Sequence, residues 1–532
     1  MCRQAGEKVH IIIRTGIFLA IGVLLYLMAC RFLETPSGVD WASGAGMDDV
    51  REHKNKYDVV FVGTSTSIAN VSCQELYQSL GIAAVCVGEP EQPVFLSKYT
   101  LKDMFRTQSP KVVVLDAKAF FYKDTHDVAV EEGEEDFIYH RSIDAIDSVS
   151  IKKQALDTIR RLYPERYEDV DLWEYYSVMY RAHANWEILD YRNFHGYDLS
   201  DCMNGNIILT DIEEGRINSY SASDPDATAG ISDEIKGQVV EIEELCSAHG
   251  AQLVLTTGYS NFTKARHKAV AKLAEDIGVP YLDINEVTEE IGFDFTMDLH
   301  ATSHFNLNGT LKWTMYLGSW LKDNFLLEDR REDPAYSWYE TQRRVYEKQK
   351  NAFEGKNSLL RSLTFDDYLE TLAGLSSSEF QIFITTYTDH PVSLTKSQRA
   401  YFKELGFSPD AITAYGNYAA ARVNADLTED YESEPDVPAG VAGSVKNLTY
   451  AITSVNDDDI QSGILLNEKE NSQQGPGVNI VVYSVSEKET VSSVYFDLEH
   501  EENPCPRRRE GYSVRIMKET APNIWEAEEE AA

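Results

Sequence analysis

Five short runs of apolar, largely β-branched residues constrain this chain most: Asp58 to Gly63 (DVVFVG), Ala83 to Val87 (AAVCV), Lys111 to Asp116 (KVVVLD), Gln252 to Thr257 (QLVLTT) and Pro280 to Ile284 (PYLDI). A strand with one wet face alternates apolar and polar residues. A strand apolar at every position is buried on both faces, which is the signature of a parallel sheet covered by crossover helices. Amphipathic segments at Cys73 to Leu80, Leu96 to Thr107, Ile231 to His249 and Lys264 to Ile277 separate the runs and supply those helices. The pattern predicts a three-layer α/β/α domain over residues 50–325, closed by a helix after His304. The stretch 123–225, acidic near 131–136 and aromatic around Trp173 to Tyr180 and Trp186 to Tyr197, breaks the rhythm and reads as a helical insertion.

At 532 residues the chain exceeds one ordinary core. Residues 326–365 are highly charged (EDRRED, Arg343-Arg344, Lys348 to Lys350) and suit an exposed helical linker. Beyond them, 366–500 carries the strand signals NLTYAITS, GVNIVVYSV and TVSSVYFDLE, expected to form a smaller β-rich domain, and 501–532 is a charged tail.

The first 35 residues have a different composition. After Arg3, Lys8 and Arg14, the run Thr15 to Cys30 (TGIFLAIGVLLYLMAC) carries no charge, and with Ile11 to Ile13 it approaches the ~20 residues of a single bilayer-spanning helix. Basic residues before it and Glu34, Asp40, Asp48 and Asp49 after it favour a membrane-anchored protein with its body outside the cytoplasm. A signal anchor is the first reading. A lipoprotein signal ending at Cys30 and a cleaved secretory signal are the alternatives.

The formal charge of −38, from 87 acidic against 49 basic residues, removes the basic footprint that nucleic-acid binding needs. Seven cysteines show no CxxC spacing, and buried free thiols are expected, although a Cys73–Cys86 bridge is conceivable across the first βα unit. No metal or cofactor motif stands out. His300 and His304 would share a helix face, but they lack the HExxH glutamate, and the neighbouring Gly and Asn residues favour a loop.

Chemistry points to two segments. Gly63-Thr64-Ser65-Thr66-Ser67 follows the first strand, where a tight strand-to-helix turn can present a serine hydroxyl at the ligand-binding edge of the sheet. Capping of the next helix is the plainer use of those hydroxyls. Late in the domain comes Asp298-Leu299-His300-Ala301-Thr302-Ser303-His304-Phe305-Asn306-Leu307-Asn308-Gly309, which places an Asp shortly before a His, as a base and its orienting acceptor require. Sequons at Asn70, Asn261, Asn308 and Asn447 are also present.

Together these segments, with a third strand ending in Asp116, resemble the SGNH (GDSL-like) hydrolase superfamily. The likeness is closest to its membrane-anchored bacterial cell-surface branch, which includes the teichoic-acid D-alanylation protein and polysaccharide O-acetyltransfer proteins. It covers about 57–325, with Gln92, KVVVLDAKAFF and His183 to Trp186 in keeping with it. The resemblance implies a flavodoxin-like sheet of SGNH type, Ser65 as nucleophile and His304 as general base, with the N–H groups of Ser65 and Gly88 as oxyanion donors. It places the orienting aspartate three residues before the histidine, where this chain has Ala301. Asp298 is the nearest substitute, and a backbone carbonyl is the other possibility. No asparagine fits the third oxyanion donor, since the third strand ends Asp116-Ala117-Lys118.

The implied activity is that of a serine esterase or O-acyltransferase on acyl esters of cell-surface polysaccharide or cell-wall polymer. The alternative is an inactive SGNH-fold surface protein that binds glycan or serves in a polysaccharide assembly complex. Residues 366–500, through GILLN, GVNIVVY and VYFD, resemble the interleukin-like EMT-inducer domain, which implies a β-rich module that binds glycan or packs on its neighbour.

Overall fold

The computed structural model describes residues 2–33, 44–122, 137–162, 175, 186, 203–212, 219–258, 262–301, 304–388, 392–456, 462–473, 477–498 and 500–509. The chain divides into two units, Met1–Val345 and Tyr346–Ala532.

The first unit is built on a five-stranded parallel sheet of β1 (Val59–Val62), β2 (Ala84–Cys86), β3 (Val112–Asp116), β4 (Gln252–Thr257) and β5 (Tyr281–Asp283), in the order β2-β1-β3-β4-β5. Its continuous apolar runs follow from burial on both sides. Val59, Phe61, Val112, Val114 and Val254 enter one core with Leu76, Trp313 and Leu317. Their neighbours Val60, Val62, Val113, Leu115, Leu253 and Leu255 enter the opposite core with Leu101, Val239, Ile242 and Leu273. Each fully buried side chain of this kind contributes about 1.5–3 kcal/mol, so a polar residue at any position of a run would be felt on one face or the other.

Local signals set the helix ends. Ser72 caps Cys73–Leu80 by accepting from the Glu75 N–H at 3.1 Å, and Gly81 ends it at φ +72°. Chain order reverses between β1 and β3, so the residues after these two strands emerge side by side at the carboxyl edge.

Before the sheet, α1 (Cys2–Leu33) includes Ile13–Cys30, with a mean hydropathy of 2.0. It is long and apolar enough to cross a membrane, and a signal sequence would have the same character. Cys73 and Cys86 are both buried free thiols, so the conceivable bridge does not form. The proposed insertion and its aromatics Trp173 and Tyr176 lie largely outside the described residues.

The charged stretch after 325 is not an exposed linker throughout. Tyr336, Tyr339 and Gln342 are buried within the first unit, Tyr339 stacks on Tyr77 at 3.8 Å, and Arg330 Nε donates to Asp58 at 2.7 Å. Charge density misled because interspersed aromatics carry the burial. The division between the units falls within the helix Tyr339–Arg361.

The second unit contains a six-stranded antiparallel sheet, order β10-β9-β8-β15-β16-β17, and a four-stranded one, order β11-β12-β13-β14. The larger comprises β8 (Phe380–Thr388), β9 (Gly416–Val423), β10 (Asp426–Glu432), β15 (Gly477–Ser484), β16 (Glu489–Phe496) and β17 (Arg507–Arg508). The smaller comprises β11 (Ala439–Val445), β12 (Leu448–Ser454), β13 (Gly463–Leu466) and β14 (Lys469–Glu470). Alternation along the central strands separates two cores. Ile382, Ile384, Ile480 and Val482 meet helix residues Phe365, Tyr368 and Phe402, whereas Phe383, Ala421 and Val481 meet Val441, Leu448, Ile452 and Ile464 of the smaller sheet.

Candidate active site

The turn after β1 is shaped by contact with the end of β3. Gly63 has φ +143°, and a Cβ there would lie 2.6 Å from the Asp116 Cβ, so this position requires glycine for both conformation and space. Thr64 is the N-cap of the short helix Ser65–Ala69, and its hydroxyl donates to Asp116 Oδ2 at 2.6 Å. The Thr66 hydroxyl donates to the same oxygen. The Lys118 N–H donates to Asp116 Oδ1 at 3.1 Å. Asp116 thus clamps the turn from the neighbouring strand and leaves Ser65 at the first helical position, only 7% exposed.

His304 arrives on a two-stranded hairpin formed by β6 (Leu299–Ala301) and β7 (His304–Phe305). Its Nε2 lies 2.8 Å from Ser65 Oγ across 239 residues of sequence. With the ring proton on Nδ1, the serine hydroxyl donates to Nε2, the ground-state arrangement of a nucleophile and its base. Two further bonds fasten hairpin and turn. Asn70 Oδ1 accepts from the Phe305 N–H at 3.0 Å, and the Thr310 hydroxyl donates to the Ala69 carbonyl at 2.8 Å. Asn70 is fully buried, which withdraws it as a glycosylation acceptor.

The electrostatics favour a neutral imidazole. Burial first, then the charges of Lys118 and His300, push the His304 pKa down to about 3. Burial likewise lowers the pKa of Lys118, opposed by Asp116 and Glu91. The nearby thiol of Cys86 is no competing nucleophile, because burial pushes it up to about 12.

One expected role meets a different geometry. Asp298 Oδ2 accepts from the Asp294 N–H at 2.7 Å and from Lys312 Nζ at 2.6 Å, while Oδ1 has no hydrogen-bond partner among the described residues. No hydrogen bond joins Asp298 to His304 among the described residues, and its carboxylate holds the start of the hairpin loop. Gly88 packs against the nucleophile's turn, since a Cβ there would lie 2.5 Å from Ser67 Oγ and 2.8 Å from the Gly63 carbonyl oxygen.

His300 and His304 stand on opposite strands of the hairpin, so the helical metal-pair spacing does not arise. Among the described residues no cluster of three or more His, Cys, Asp and Glu side chains is placed to hold a metal ion.

Sequence reasoning missed the clamping role of Thr64, Thr66 and Asp116 and the strut role of Asn70, while the helix cap it offered to these hydroxyls is made by Thr64. The signal for the clamp was present in the alternating hydroxyls of Thr64-Ser65-Thr66 and in the Asp that ends the third apolar run. Neither a protein-family model nor a curated protein matches the chain.

Proposed function

We propose that this chain is an SGNH-type serine esterase or O-acyltransferase, tethered to the membrane by α1 with its body outside the cytoplasm. Its substrates are acyl esters of cell-surface polysaccharide or cell-wall polymer. The observation that carries the reading is the 2.8 Å contact between Ser65 Oγ and His304 Nε2 at the carboxyl edge of the sheet. The order β2-β1-β3-β4-β5 supports it, being the flavodoxin-like order with a ligand crevice beside β1 and β3.

In this reading Ser65 Oγ adds to the ester carbonyl carbon while His304 Nε2 takes its proton. The carbonyl π pair becomes the oxyanion. Collapse breaks the bond to the leaving alcohol, which receives the proton from His304, and leaves an acyl-Ser65. Water or a sugar hydroxyl then repeats the sequence, giving hydrolysis or transfer. The second unit, in the likeness of the interleukin-like EMT-inducer domain, would hold glycan near the membrane surface.

A non-catalytic, glycan-binding surface protein is the second reading. It is favoured by Asp298 being held by Lys312. Hydrolysis of p-nitrophenyl acetate by the full chain in detergent separates the two. Turnover that falls to background in both Ser65→Ala and His304→Ala supports the esterase, whereas identical rates in all three proteins exclude it.

A further inference from the structure

Ser65 is held in place by its neighbours more than by its own side chain. Among the described residues its hydroxyl makes one hydrogen bond, the 2.8 Å contact with His304 Nε2, so no second partner fixes Oγ for attack. The backbone around it is fastened instead, at both ends of the short helix Ser65–Ala69. At the far end Asn70 Oδ1 accepts from the Phe305 N–H at 3.0 Å, and the Ala69 carbonyl accepts from the Thr310 hydroxyl at 2.8 Å. Asn206 Nδ2 adds a bond to the Ile68 carbonyl at 3.0 Å. The near end depends on one carboxylate.

Asp116 Oδ2 accepts from the hydroxyls of Thr64 and Thr66, the residues on either side of the nucleophile, while Oδ1 accepts from the Lys118 N–H of its own segment at 3.1 Å. The two hydroxyl oxygens lie 2.9 Å apart, and all three side chains are buried. Helix capping accounts for Thr64, whose oxygen accepts from the Thr66 N–H, but it accounts neither for the Thr66 hydroxyl nor for the buried charge. Stability alone does not call for them, because apolar groups of the same shape in place of a buried polar set are often neutral or stabilising.

We infer that Asp116 is a positioning residue for the ester chemistry, fixing Ser65 Oγ relative to His304 through Thr64 and Thr66. The inference rests on the ester-transfer reading above. Without the clamp, the bonds at Ala69 and Asn70 still tie the helix to the His304 hairpin, whereas Ser65 loses its support from β3. Misplacing a reacting group by about 1 Å costs on the order of 10²-fold in rate. The loss falls on acylation and not on ester binding, because the clamp acts on the nucleophile alone.

The test compares the full chain in detergent with Asp116→Ala, Thr66→Val, Thr66→Ser and Ser65→Ala. Single-turnover acylation by p-nitrophenyl acetate separates the maximal rate from the half-saturating concentration, a fluorophosphonate taken to completion counts reactive serines, and thermal melting follows folding. Asp116→Ala should lower the maximal rate per reactive serine by about 10²-fold and Thr66→Val by about tenfold or more, with half-saturation within about threefold of wild type. Thr66→Ser, which keeps the hydroxyl, should acylate within about threefold of wild type. A purely structural clamp predicts lower melting temperatures with an unchanged rate per reactive serine, and that result overturns the inference, as does an equal loss in Thr66→Val and Thr66→Ser. Should Asp116→Ala fail to fold, the Thr66 pair decides in the same way, because it leaves the bond from Thr64 to Asp116 in place. Wild-type acylation no faster than that of Ser65→Ala overturns the esterase reading itself, and this inference with it.

Discussion

Ala301 is the direct cross-strand partner of His304 in the β6–β7 hairpin, three residues before it in the chain. Paired residues on an antiparallel ladder share a face with Cβ atoms about 4.5–5.5 Å apart. Ala301→Asp would therefore bring a carboxylate into the range that stabilises an imidazolium. We expect it to raise the His304 pKa and to speed serine acylation by on the order of tenfold or more, within the ~10²–10⁴ range of positioned acid–base groups. The pH profile of acylation reads this directly. A profile and rate unchanged from wild type would mean that the two side chains do not meet.

In the wild type the sign of the pH effect is opposite to that of a carboxylate-supported histidine. Burial holds the His304 pKa down at about 3, so the neutral, proton-accepting form persists well below pH 6. Acylation should stay level from pH 8 to about pH 4, rather than falling through the usual histidine pKa of about 6.5. Stability moves differently. The unfolded chain takes up the proton near its ordinary pKa while the folded chain resists, so stability present above that pKa is progressively lost as pH falls towards about 3. His304→Gln should flatten this part of the urea-midpoint profile, and a slope identical to wild type would contradict the assignment.

Asp298 should behave as a structural residue. Asp298→Ala removes the acceptor for the Asp294 N–H and the Lys312 ammonium, which predicts a loss of about 1–3 kcal/mol, read as a lower urea midpoint with unchanged slope. The folded fraction should still acylate at Ser65. A variant of wild-type stability that cannot acylate would restore Asp298 to the catalytic machinery.

The struts make a separate prediction. Asn70→Ala leaves the buried Phe305 N–H without its partner and should cost about 1–3 kcal/mol while loosening the hairpin beside His304. Gly63→Ala combines a positive φ with a 2.6 Å approach to Asp116 and should cost at least as much, since overpacking alone adds about 1–3 kcal/mol. Melting temperatures check both. A Gly63→Ala protein that melts with wild type would show that the turn can move away from β3.

The parallel sheet was legible because burial on both faces imposes apolar residues at every strand position, as at Val59 to Val62 and Val112 to Leu115. Turn chemistry at Gly63 was legible for the same kind of reason, since few residues tolerate that backbone. The partners of Asp298 were not. Hydrogen bonding of a buried carboxylate depends on which side chain approaches from elsewhere in the chain, and Lys312 does not announce that role in sequence. The segment after 325 misled because charge was weighed above Tyr336 and Tyr339, whose rings carry the burial.

The central claim is that Ser65 and His304 act together, and reaction of the full chain with a fluorophosphonate probe tests it most directly. The account predicts covalent labelling of the wild type at Ser65, none in Ser65→Ala, and labelling slowed by orders of magnitude in His304→Ala. Equal labelling of all three proteins, or none in the wild type, would contradict it.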